Sequence, residues 1–184
     1  PIVRSSAMET VTGQDSGRAP DGEMAKRISA FSRGGSALGP QDRWPDRLRL
    51  AVEIILAMPQ PAGVCWGPQA AFIYNDAYRS ILGDRHPAAL GKPLTVIWPE
   101  LEDMLTPALA AVMAGHPQRW DDINLRLTQR GVPDPNSWFT ATWTPLAASD
   151  AAPEGFLMVA EETTAHHKAE QALQESESRF RALV

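Results

Sequence analysis

The chain has 184 residues and a formal net charge of −5, with a pI near 5.4. That length suits one domain with extensions, since domains run to about 100–200 residues, and it is enough to bury a real core. The acidic balance argues against a nucleic-acid-binding face, the single cysteine excludes an intrachain disulfide framework and fits a reducing, cytoplasmic setting, and no apolar run reaches the ~18 residues of a membrane span.

Residues 1–40 are poor in large apolar groups and rich in Gly, Ser, Pro and charge, the composition of a flexible arm. Within it, residues 24–31 suit one or two helical turns at most. The chain opens at Pro1 rather than Met, so residues 1–7 are set aside from fold reasoning. Gly34, Gly35 and Gly39 match neither a dinucleotide-binding spacing nor a phosphate loop, and no Lys follows Gly39. Trp44-Pro45-Asp46 starts a helix, with proline suited to the first helical position. Leu48, Ala51, Val52 and Ile55 recur at helical spacing and give it one apolar face, and Pro59 and Pro61 end it.

The segment 62–83, AGVCWGPQAAFIYNDAYRSILG, is the stretch around which the rest is organised. Val64, Cys65 and Trp66 form a short β-favouring run, Gly67-Pro68 is turn punctuation, and residues 70–74 form a second run. Asn75 stands where a helix cap belongs, able to accept from the N–H of Ala77 or Tyr78. Asp76 sits in the first turn, where the helix dipole favours negative charge. Gly83 closes the unit.

Residues 83–91 read as a loop with a helical turn at 87–90. Leu101, Met104, Leu105, Ala108 and Val112 share a face between Pro99 and Gly115. Pro107 inside this helix predicts a kink or a restart near Thr106, because an interior proline costs about 3 kcal/mol. Ile123, Leu125 and Leu127 alternate with polar residues in a half-buried strand. Residues 138–144, rich in Trp, Phe and Thr, predict another, and residues 155–161 a last one. Residues 163–184 contain no Gly or Pro and predict one helix. Its positions 166, 169, 173, 176, 180 and 183 alternate three and four apart, so Ala169, Leu173, Phe180 and Leu183 form a heptad seam for pairing with a second copy.

Strand, strand, short helices, three strands is an α+β order. The YNDAY of residues 74–78 resembles the strand-end signature of the PAS family. HPAALGKP (86–93) and VIWPEL (96–101) resemble a PAS subgroup found mainly in bacterial sensor histidine kinases. The resemblance spans residues 38–164. It implies a five-stranded antiparallel sheet with short helices on one face, an amphipathic helix before it and a signalling helix after it. The domain limits that follow are an arm at 1–40, a sensor domain at 41–162 and a linker helix at 163–184. ESESRFRAL (175–183) resembles the start of a second PAS domain, which implies further chain after Val184. The function implied is detection of a small ligand or partner state, relayed through the last helix to a downstream PAS or kinase domain. A ligand-free dimerisation and docking module is the alternative.

Cys65 sits in the first strand and the GxNCRxL-type motif of flavin-binding PAS domains is absent, so a buried apolar cysteine is the better reading. His86 and His116 precede prolines without a second axial ligand in view, which argues against haem. His166 and His167 are adjacent, whereas helical metal pairs prefer i, i+4. The carboxylate clusters at 100–103, 121–122 and 161–162 accompany no nucleophile, metal set or phosphate loop. No hydrolase elbow, kinase glycine box or phospho-accepting histidine box occurs, so no enzymatic activity, flavin, haem or metal is expected in this chain. Among six tryptophans, Trp66, Trp98 and Trp143, with Tyr78, are the candidate aromatics of a ligand cavity between helices and sheet; plain core filling is the competing reading.

Overall fold

The computed structural model describes residues 22–33, 38–147 and 151–182. Eleven elements follow in order: α1 (Glu23–Arg33), α2 (Asp46–Ala57), β1 (Ala62–Trp66), β2 (Ala71–Tyr74), α3 (Arg79–Leu82), α4 (Leu94–Ile97), α5 (Glu102–Met113), β3 (Gln118–Arg126), β4 (Asn136–Leu146), β5 (Gly155–Glu162) and α6 (Thr164–Ala182). Short 3₁₀ turns join several of them. The strands make one antiparallel sheet in the order β2-β1-β5-β4-β3. Among the described residues no helix is long and apolar enough to cross a membrane.

Helix α2 buries the four residues whose spacing predicted it, Leu48, Ala51, Val52 and Ile55, and leaves Leu50 and Ile54 exposed on its outer side. Pro45 stands at its N-cap, one residue ahead of the expected position. Gly67 turns β1 into β2 at φ 75°, a left-handed conformation that glycine adopts without penalty. Every residue of β1 and β2 is buried, because the sheet is covered on both faces there.

Three expectations are corrected. The arm expected at residues 1–40 contains a packed helix: α1 buries Met24 and Ile28 fully, and the Phe31 ring lies against Gly91. Residues 1–21 lie outside the described part. Its apolar content is low, yet Met24 and Ile28 are four apart and meet a surface the folded domain supplies, which composition does not register. The chain runs helically through Pro107, so of the kink or restart expected near Thr106 the restart does not occur. Pro107 is exposed, so the carbonyl it frees can be hydrated; the break comes earlier, where a 3₁₀ turn at Pro99–Leu101 hands over to α5. The helical turn expected at 87–90 is a run of turns, preceded by a 3₁₀ turn at Gly83–Arg85 and followed by the unforeseen α4. Four residues are too few to display a period.

Candidate functional site

Asn75 organises the approach to the site. Its Oδ1 accepts from the N–H of Tyr78 and of Ala62, each at 3.1 Å. Its Nδ2 donates toward the carbonyls of Ile55, Met58 and Gln60 at 2.8–3.1 Å. One side chain thus joins the end of α2, the start of β1 and the turn Asp76–Tyr78 that leads into α3. Gly83 ends α3 at φ 57°, and a Cβ there would run into the Gln129 carbonyl. Only a glycine admits both the dihedral and that approach.

These constraints place Tyr78 under the sheet, where it borders a cavity of about 60 Å³. Ile81, Leu94, Trp98, Met104 and Leu105 line it from the helices, Trp120, Ile123 and Leu125 from β3, Phe139, Ala141 and Trp143 from β4, and Met158 and Ala160 from β5. Trp143 stacks on Phe156 at 4.8 Å and meets Trp120 edge-on at 5.0 Å. Arg85 lies 4.6 Å over the Trp98 ring and donates to the Ile97 carbonyl at 2.6 Å, which fixes that indole in the wall. Leu101, Met104, Trp120, Ile123 and Leu125 are only half-buried. The thinnest cover is therefore the seam between α5 and the edge strand β3.

The site is apolar and its titratable neighbours are neutral. Burial pushes the Tyr78 phenol far up, with the adjacent Cys65 adding to the effect, and burial pushes the Cys65 thiol up as well. The Tyr78 hydroxyl makes no hydrogen bond among the described residues. Sixty cubic ångströms is well under the ~150 Å³ of an apolar cavity that holds a benzene ring. A molecule of a few heavy atoms fits; a larger one requires the α5–β3 seam to part.

Of the four candidate aromatics, Tyr78, Trp98 and Trp143 border this cavity and Trp66 does not. Strand alternation is the reason. Trp66 shares a face with Val64 and Ala62 and lies with Leu38, Pro45 and Leu48 on the α2 side of the sheet. The hairpin's inward residues are Cys65 and its cross-strand partner Phe72, whose ring meets Tyr78 at 5.1 Å. Trp120 joins Tyr78, Trp98 and Trp143 in the wall, although its odd separation from Ile123 would put the two on opposite faces of a regular strand. Seam positions Ala169, Leu173 and Phe180 are exposed, the last two at 61% and 74%; Leu183 lies outside the described residues. Among the described residues no group of three His, Cys, Asp or Glu side chains is placed to hold a metal.

The PAS fold family matches residues 57–168. The PAS domain of Bordetella pertussis BvgS is similar at 21% identity and a TM-score of 0.56, over 73% of this chain and 99% of that one. The Rhodobacter sphaeroides LOV protein is similar at 12% identity and a TM-score of 0.50, over 64% and 68% of the two chains. An RNA-binding light-oxygen-voltage receptor aligns at 14% identity and a TM-score of 0.51, over 80% of this chain and 42% of its own. At these identities the likeness is one of fold. No curated protein matches the chain.

Proposed function

The chain belongs to the PAS fold family, and on that premise we propose that it is a sensor module of a sensor histidine kinase. It detects a small molecule or the state of a partner and relays it through α6 to a downstream PAS or kinase domain. This chain itself performs no catalysis, carries no flavin or haem and works in the cytoplasm. The observation that carries the proposal is α6. Its first turn is tied to β4 by the bond from the Trp138 N–H to Thr164 Oγ1 at 2.9 Å. Beyond Lys168 every described side chain is exposed, Leu173 and Phe180 included. An isolated helix of this length is marginal in water, so Ala169, Leu173 and Phe180, continued by Leu183, pair with the same stripe of a second copy. The signal is a shift between two registers or crossing angles of that pair. A ligand drives it only by binding one state better than the other.

Sedimentation at several concentrations tests the pairing. Leu173→Asp with Phe180→Asp shifts the species toward monomer and leaves the sheet's circular dichroism unchanged; a truncation ending at Glu162 that dimerises as tightly as the whole chain refutes the role given to α6. Native mass spectrometry of freshly purified protein tests sensing. A stoichiometric mass excess supports it, and an absorption band near the Soret or flavin region contradicts the cofactor-free proposal. The small volume of the cavity favours one second reading, a ligand-free docking module. That reading predicts a bare mass and the same self-association.

A further inference from the structure

Pairing between β3 and β4 shifts register within the cavity wall. Trp120 faces Ala141 and Ile123 faces Phe139, so three steps on one strand match two on the other. One extra residue of this kind is a β-bulge, which re-aims the side chains on either side of it. Both Trp120 and Ile123 consequently border the cavity, which unbroken alternation forbids. Asp122 accommodates the misfit, in the left-handed region at φ 52°.

The carboxylate of Asp122 reaches the root of α6. Thr163 Oγ1 donates to its Oδ1 at 3.0 Å. His167 Nε2 lies 3.0 Å from the same oxygen, buried and without a hydrogen bond of its own, so the two form an ion pair only when the ring is protonated. The His167 ring also stacks on Trp138 at 4.2 Å. His167 foremost, then Thr163, hold the Asp122 carboxyl below its ordinary value. Two other contacts brace the same root. Arg130 pairs with Glu162 at 2.9 Å and Lys168 with Asp134 at 3.0 Å. Neither carboxylate lies in the wall of the cavity.

We propose that Asp122 is the positioning residue that couples the cavity wall to α6: the Trp120–Ile123 bulge and the seat of His167 move as one element. The inference rests on the sensor reading and says where the displacement crosses from site to helix. A shift of Trp120 rotates the bulge, carries the Asp122 carboxylate with it and changes the hold on Thr163 and His167.

The test uses the whole chain and needs no ligand. Amide exchange at Thr163, His167 and Lys168 is compared by NMR in the parent, in Trp120→Phe, in Asp122→Asn and in both together. Asn keeps the left-handed backbone readily and removes the charge. Trp120→Phe changes these rates about twofold or more, the low end of couplings carried through packed networks. In the Asp122→Asn background the change disappears, whereas an Asp134→Asn background, which loses a brace outside the bulge, leaves it in place. An equal response in the parent, Asp122→Asn and Asp134→Asn backgrounds overturns the proposal, as does no response in any while the Trp143 indole resonance moves. Ile123→Val perturbs the same wall more gently and replaces Trp120→Phe if that variant is poorly folded. A bare mass in native mass spectrometry ends the small-molecule form of the sensing proposal without altering this comparison, so the two fail separately.

Discussion

The Nδ2 of Asn75 stands 3.0 Å from the carbonyl oxygen of Ile55, the last buried residue of α2, twenty positions earlier in the chain. The same side chain, 1% exposed, serves four further backbone groups. A lost cap alone costs about 1 kcal/mol. Leaving a buried polar group unpaired costs about 1–3 kcal/mol each. Asn75→Ala is therefore expected to lower stability by about 3 kcal/mol or more, read as a fall in the urea midpoint at unchanged slope. A loss near 1 kcal/mol reduces Asn75 to a helix cap.

Helix α1 is a structural part of the domain. Glu23 meets Arg27 at 2.6 Å, Arg79 at 2.8 Å and His86 at 3.1 Å, and the Tyr74 hydroxyl lies 3.0 Å from the other ring nitrogen of His86. These contacts are part-exposed and individually weak; Met24 and Ile28 supply the burial. Ile28→Ala should cost about 2–4 kcal/mol, the usual range for truncating a buried aliphatic side chain. Lys26→Ala, on the exposed side, should change stability little. Equal midpoints for the two variants contradict the docking of α1.

Trp143 and Trp138 answer to different surroundings on one strand. Trp143 is 3% exposed and borders the cavity, whereas Trp138 is half-buried beneath the His167 ring on the opposite face. In variants retaining only one of them, acrylamide is expected to quench Trp138 more readily and Trp143 to emit further to the blue. Equal quenching disproves the assignment of faces.

Acid should loosen α6 before it unfolds the sheet. Asp122 is lowered first by His167, Asp134 by Lys168 and Glu162 by Arg130. Each folded value lies below the unfolded one. The stability these groups lend is therefore complete above the ordinary carboxylate range of about 4 and is lost as pH falls through the lowered values. Emission from a Trp138-only variant should change at higher pH than emission from a Trp143-only variant. Salt should weaken the difference, because the pairs are solvent-accessible and screened. Coincident transitions count against separate release of the helix.

The pattern of residues was enough for the sheet, its strand order along the chain, the buried stripe of α2, the parity of Trp143, Phe139 and Ala141, and the capping role of Asn75. Each of those rests on a local period or on neighbours within a few positions, and local sterics decide them. What only the tertiary structure decided involves partners far apart in sequence. The seat of α1 depends on Asp76, Arg79, His86 and Gly91 meeting residues 52 to 63 positions earlier. The face taken by Trp66 depends on which side α2 covers. The entry of Trp120 into the cavity depends on one bulged residue, Asp122, whose left-handed turn has no signature in an Asp-Asp pair; a single added residue inverts every side chain beyond it, and strand alternation read from sequence alone cannot register that inversion.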